Sequence, residues 1–196
     1  MEQNGFLTAF PETLFDGDDG LFKQILADAK TYGEYGCGAS TAWVFNNCAC
    51  HILGVDSSEI WLQNVRASCG DSPRLALHHA DVGTVGDWGW PVNYDKHENF
   101  GDYTDWIWNQ ALTPDVVLVD GRFRVCCFLS ALLRAKPGAR IMFDDYTNRA
   151  HYHIVERFLK PLKTCGRQAL FVVPDQGALD VKEIAVFIDR FRFVFE

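Results

Sequence analysis

Glu34-Tyr35-Gly36-Cys37-Gly38-Ala39-Ser40-Thr41, followed by Gly54-Val55-Asp56-Ser57, is the stretch whose reading decides the fold. Glycines just after a strand let the backbone turn sharply and let a ligand approach the main chain with no Cβ in the way. The helix that begins next presents unpaired N–H groups to that ligand. An acid about twenty residues further on, at the end of the following strand, is placed to accept hydrogen bonds from ribose hydroxyls. Asp56 stands there. A lone Gly-x-Gly is an ordinary tight turn, but here a strand precedes it, a helix follows it and an acid ends the next strand.

Working outward, short apolar runs alternate with helical patterns. Asp18 or Asp19 is placed to cap a first helix over about Gly20 to Lys30, with Leu21, Phe22, Ile25 and Leu26 on one face. After the glycine turn come a helix from Ser40 to about Cys48 and a strand from His51 to Val55. A helix opened by Ser57 or Ser58 and ended by Gly70 and Pro73 leads to a strand from Leu75 to Ala80. Val82 to Gly101 is a long polar loop rich in glycine and aromatic residues. A helix from about Asp102 to Leu112, the strand Asp115 to Val119 and a helix from Phe123 to Ala135 follow. Next are a strand from Ala139 to Phe143 and a helix from about Ala150 to Leu162. Two closing strands are predicted near Ala169–Val173 and Glu183–Phe195, the last from the alternation of Phe191, Phe193 and Phe195. Such an order implies a parallel α/β sheet covered on both faces, with a closing antiparallel strand. Acids stand just past the strand ends, at Asp56, Asp81, Asp120, Asp144 and Asp145. Open α/β sheets bind ligands at that edge.

Composition narrows the class of partner. The 196 residues, 48% hydrophobic and 22% charged, suit a single domain spanning 1–196, with 1–19 irregular and containing Pro11. A net charge of −8 argues against nucleic acid or an anionic membrane surface as the main partner. Met1-Glu2-Gln3-Asn4 has no signal-peptide character, so a cytoplasmic location is expected. Seven scattered cysteines without a Cys-x-x-Cys read as free thiols in a reducing compartment.

The choice of ligand turns on two residues. A dinucleotide site wants a third glycine where Thr41 stands, and the Glu34 carboxylate would repel a diphosphate. A ligand carrying ammonium and sulfonium charges suits that acid better. In this respect the chain resembles the class I S-adenosylmethionine-dependent methyltransferases, from about residue 20 to the C-terminus. Their acid-x-Gly-x-Gly turn is matched by Glu34, Gly36 and Gly38, their ribose acid by Asp56, and their adenine-side acid by Asp81 of His79-Ala80-Asp81-Val82. The resemblance implies a Rossmann-like, doubly wound, mostly parallel seven-stranded sheet with a C-terminal antiparallel hairpin. It also implies a cofactor set of Glu34, Gly36, Gly38, Ser40, Asp56, Ser57, Asp81, Val82 and Asp120. One departure is the first strand, which is less apolar than usual and carries Gly33.

Val119-Asp120-Gly121-Arg122 and Phe143-Asp144-Asp145-Tyr146 are similar to the paired acidic motifs of metal-dependent O-methyltransferases and some sugar methyltransferases. Carried over, Asp120, Asp144 and Asp145 are candidate magnesium ligands, with Asp120 first and Asp145 second as catalytic residues facing the acceptor. Two features depart from that pattern: Asp145 where catechol-type enzymes have Asn, and the charge of Arg122 beside the acids. The bland alternative is that Asp144 caps a turn and Asp145 pairs with Arg122 or Arg124. His78, His79, His151 and His153 read as packing residues. Asp87-Trp88-Gly89-Trp90-Pro91 reads as a lid over an apolar or sugar substrate, a packed surface loop or a dimer contact.

The expected activity is S-adenosylmethionine-dependent methylation, with oxygen the first choice of acceptor atom on a small molecule or sugar-like compound. A non-catalytic binding or regulatory protein on the same fold is the alternative, and a nicotinamide-dependent oxidoreductase the third reading. Self-association into a homo-oligomer stays open.

Overall fold

Seven strands make one sheet in the computed structural model, which describes residues 13–195. They are β1 (Thr31–Tyr35), β2 (His51–Asp56), β3 (Leu75–His79), β4 (Val116–Val119), β5 (Arg140–Phe143), β6 (Lys163–Cys165) and β7 (Gln168–Val172). Their order is β3-β2-β1-β4-β5-β7-β6. The first five run parallel, while β7 pairs antiparallel with both β5 and β6. The expected doubly wound, mostly parallel sheet with an antiparallel hairpin is therefore present. Of the predicted irregular segment, residues 1–12, with Met1 to Asn4 and Pro11, lie outside the described residues.

Among the described residues six α-helices accompany the sheet: α1 (Gly20–Leu26), α2 (Ala39–Asn47), α3 (Glu59–Cys69), α4 (Phe100–Asp105), α5 (Arg124–Arg134) and α6 (Val181–Phe191). Strand alternation sends side chains to two separate cores. Tyr32, Ile52, Val116, Leu118, Met142 and Leu170 pack with Phe22, Ile25 and Leu26 of α1 and Val44 of α2. Tyr35, Val55, Val117, Val119, Ile141, Phe143 and Phe171 pack with Phe128 and Leu132 of α5 and Ile184 and Ile188 of α6. Each fully buried side chain of this kind contributes roughly 1.5–3 kcal/mol. All of β1 is buried despite its polar character. Gly33 is needed there, because a Cβ would lie 2.8 Å from the Pro114 ring.

Four expectations need correction. The first helix stops at Leu26, and the Asp19 side chain makes no cap bond; it accepts from the Leu14 amide and pairs with Lys23 instead. The helix predicted over Asp102 to Leu112 is the short α4 continued by a 3₁₀ turn, Trp106–Asn109. Ala150 to Leu162 is a 3₁₀ helix over Ala150–Arg157; its buried residues Tyr152 and Val155 are three apart, the spacing that such a helix aligns on one face. Finally, Glu183 to Phe195 is not a strand. Ile184, Phe187, Ile188 and Phe191 follow helical spacing, and Asp180 caps α6 by accepting from the Glu183 amide at 2.9 Å. The hairpin partner of β7 is β6, three residues long and too polar to signal itself.

All seven cysteines are free thiols. Among the described residues no helix is long and apolar enough to cross a membrane.

Candidate functional site

The chain leaves β1 toward β2 on one side and returns to β4 on the other, so the sheet's topological switch point lies at the carboxyl ends of β1 and β4. A cavity of about 800 Å³ opens there. Its floor is the turn Gly36-Cys37-Gly38 with Gly121 and Arg122. One end holds Asp56, Ser57, Trp61, Trp88 and Trp90; the other holds Asp16, Asp120, Arg124, Asp145, Arg149 and Arg167.

Gly36 is fixed by its neighbours. Its φ is +91°, and a Cβ would sit 2.6 Å from the Gly121 Cα. The two turns therefore close on each other through glycine backbone. Gly38, by contrast, faces open space and begins α2, whose first turn points at the cavity.

Asp56 joins these parts. Its carboxylate accepts from the Cys37 amide at 2.8 Å and the Ser58 amide at 2.7 Å, which locks the β1 turn to the start of α3. Burial nonetheless pushes its pKa up to about 6, against the pull of those two bonds. Ser57 donates to the Gly89 carbonyl at 2.7 Å, drawing the aromatic loop over this end. Gly89 has φ +71°, and a Cβ there would meet the Ser57 hydroxyl. Trp88 stacks on Trp61 of α3 with ring centroids 5.9 Å apart, and Arg122 lies over the Trp90 ring at 5.2 Å. Of the three roles open for this loop, the structure places it on the cavity rim.

Three predicted cofactor residues stand elsewhere. Glu34 is fully buried behind α2, where its carboxyl accepts from the hydroxyls of Ser40 and Thr41, and it does not line the cavity. Burial raises its pKa to about 7. It is thus a poor partner for a cation and a good tie between β1 and α2. Asp81 is exposed and holds the loop by an ion pair with Lys96 and a bond from the Gly83 amide; the Lys96 ammonium keeps its carboxyl below the usual range. Val82 is buried in the core. Gly36, Gly38, Ser40, Asp56, Ser57 and Asp120 do line the cavity.

The histidines are occupied as packing residues. His78 pairs with Asp102 and stacks on Trp106, His79 bonds the Ser57 carbonyl, His153 bonds the Tyr146 carbonyl, and His151 packs on Tyr152.

At the other end the three predicted acids do converge, with one oxygen of each of Asp120, Asp144 and Asp145 within 4.8 Å of the others. Arginines already serve them. Arg124 reaches Asp120 at 3.3 Å and Asp145 at 3.1 Å, Arg149 reaches Asp145 at 2.8 Å, and Arg167 reaches Asp144 at 2.8 Å and Asp16 at 2.7 Å. Each acid of the cluster is therefore engaged by a guanidinium, and a divalent cation would have to displace arginines to gain its ligand oxygens. This donor set does not fit magnesium. Burial, and then the nearby Asp144 carboxylate, push Asp120 well above the usual carboxylate range, with Arg124 opposing. Asp145 pairs with Arg124, one of the two partners expected from the sequence. Sequence reasoning missed Arg149 and Arg167, which come from beyond β5 and from the hairpin.

No known protein family's sequence profile matches the chain, and no curated protein matches it. Among solved structures, a methyltransferase-like protein from Silicibacter pomeroyi DSS-3 is 30% identical, with a TM-score of 0.75 over 96% of this chain and 97% of that one. The N-methyltransferase NodS from Bradyrhizobium japonicum, bound to S-adenosylhomocysteine, is 12% identical, with a TM-score of 0.53 over 84% and 90% of the two chains. An O-methyltransferase from Bacillus cereus, also with S-adenosylhomocysteine, is 16% identical, with a TM-score of 0.53 over 85% and 84%. The latter two share the fold.

Proposed function

The chain belongs to the class I S-adenosylmethionine-dependent methyltransferase family, and from that premise we propose that it transfers a methyl group to a hydroxyl oxygen of a small-molecule or sugar-like acceptor. The observation that carries this reading is the cavity itself. A glycine turn, a helix start and a strand-end acid meet at one end, and a walled polar compartment adjoins them.

S-Adenosylmethionine supplies an activated methyl group on a sulfonium. The protein's share is orientation, since an in-line displacement needs the acceptor oxygen held behind the methyl carbon. In the proposed arrangement Asp56 accepts from the ribose, the α2 start and the Gly36-Cys37-Gly38 backbone face the methionine portion, and Trp61 with Trp88 shields the nucleoside from water. When bound, the cofactor would supply the methyl carbon and keep the electron pair of its sulfur–carbon bond, and the hydroxyl proton of the acceptor would have to leave. Asp120 borders the acceptor end and is the residue proposed to take it. Its raised pKa makes that role stronger as pH increases. Asp145, held between Arg124 and Arg149, positions Arg124 against Asp120.

A second reading, cofactor binding without turnover, is favoured by one feature: each acid of the acceptor end is engaged by an arginine. Calorimetry with S-adenosylmethionine, S-adenosylhomocysteine and NAD, each with and without magnesium, tests the proposal. Binding of the first two without a magnesium requirement is expected. No binding of either at millimolar concentration would falsify it. Tight binding with no turnover on a broad panel of hydroxyl acceptors would favour the second reading.

A further inference from the structure

Pairing the charges that line the cavity leaves Arg122 over. Arg124, Arg149 and Arg167 each have carboxylate partners, whereas Arg122, 8% exposed, has none within 4.0 Å among the described residues. Its Nε is buried without a hydrogen-bond partner, and its guanidinium lies over the Trp90 face. The Asp56 carboxylate, on the nucleoside side, accepts from two amides and makes no ion-pair contact with Arg122 within 4.0 Å. Asp120 on the other side is engaged by Arg124.

The backbone holds this side chain where it is. Its amide donates to the Tyr103 hydroxyl at 3.0 Å, and Gly121 before it is pressed against Gly36. Phe123 after it sits at φ +55°, a left-handed conformation that a bulky residue seldom adopts, sealed in by Phe100, Tyr103 and Phe195. A buried guanidinium without a counter-charge destabilises a fold. Such a group persists where a bound anion completes it, and its planar fork suits a carboxylate.

We propose that Arg122 is the receptor for a carboxylate of the molecule bound in this cavity. This rests on the cavity being the cofactor and acceptor site. Two sources supply that chemistry: the amino-acid end of the cofactor, or an acidic acceptor.

The test uses the full chain as wild type, Arg122→Met and Arg122→Lys. Methionine keeps an unbranched stem beside Trp90, so the ligand-free melting temperature of that variant is expected to hold or rise; a fall of many degrees with unchanged ligand binding overturns the proposal in favour of a packing role. Calorimetry then compares S-adenosylhomocysteine, which carries a carboxylate, with methylthioadenosine, which does not. If the cofactor is the source, Arg122→Met weakens S-adenosylhomocysteine at least tenfold, leaves methylthioadenosine unchanged, and lysine restores part of the loss. If the acceptor is the source, S-adenosylhomocysteine binds all three proteins alike, and benzoate binds the loaded wild type but not loaded Arg122→Met. Equal binding of both carboxylates by wild type and Arg122→Met overturns the proposal. Should wild type bind neither nucleoside, the cofactor reading has failed. Benzoate on the ligand-free proteins then decides Arg122 alone: binding by wild type and not by Arg122→Met supports it, and no difference overturns it.

Discussion

Glu34→Gln is expected to stabilise the protein at alkaline pH and to change almost nothing at pH 4. The Glu34 carboxyl has a pKa of about 7 in the folded chain against an ordinary 4.5, because burial disfavours its charge more than the Ser40 and Thr41 hydroxyls favour it. Between those values the folded state holds a proton that the unfolded state has released, so stability falls as pH rises from 4.5 to 7. At ~1.4 kcal/mol for each pH step, the loss is about 3 kcal/mol, complete above pH 7 and absent below 4.5. Glutamine matches the shape of the neutral acid and does not titrate. Urea unfolding followed by tryptophan fluorescence from pH 4 to 8 should show two curves that meet at the acid end. They should separate by about 3 kcal/mol at the other, the variant being more stable. Asp56, whose pKa is about 6, also loses stability with rising pH in both proteins. Affinity for S-adenosylhomocysteine should stay within a few-fold, since Glu34 does not border the cavity. A variant less stable by the same amount at every pH would refute this reasoning, for it would mean that the carboxylate is ionised throughout.

Gly36→Ala combines a positive φ with a Cβ 2.6 Å from backbone, so a loss of about 3 kcal/mol or more in unfolding free energy is expected, seen as a lower melting temperature. Trp88→Ala removes an exposed ring stacked on Trp61; S-adenosylhomocysteine should bind roughly fivefold more weakly by calorimetry, about 1 kcal/mol, with little change in melting temperature. Asp120 must ionise from a raised pKa to accept a proton, so the turnover rate should climb with pH. In Asp120→Asn the climb should vanish, and a parallel profile in the variant would remove Asp120 from that role. Because arginines already neutralise Asp144 and Asp145, treatment with EDTA should leave turnover within twofold of the untreated protein in a methyl-transfer assay.

The sheet was legible in the sequence because its parallel strands are short apolar runs that end in acids, as in Asp115 to Asp120. The last helix was misread because Phe191, Phe193 and Phe195 alternate just beyond its end, whereas the capping acid Asp180 lies far upstream of them. β6 carries no signal, since a three-residue polar edge is held only by β7. At the site, Gly36 and Asp56 were readable from local spacing. Glu34 was not placed correctly, although alternation held the clue. It shares its face with Tyr32, which packs on the α1 and α2 side, while Tyr35 faces the other core. Asp81 was displaced by a local event, its capture by Lys96. The arginine pairing could not be read at all, because Arg167 meets Asp144 only after the hairpin folds back against β5.

The contact between Gly36 and Gly121 bears on how a lineage of such proteins can drift. Both glycines are demanded by backbone meeting backbone, whatever occupies the cavity. A descendant that had abandoned the reaction would still have to keep them to fold, and would still carry the signature by which the family is recognised. Motif glycines here testify to architecture. The positions free to change with a change of trade are those that face the ligand and hold nothing else in place, and among these Trp88 and Arg122 are the ones to watch.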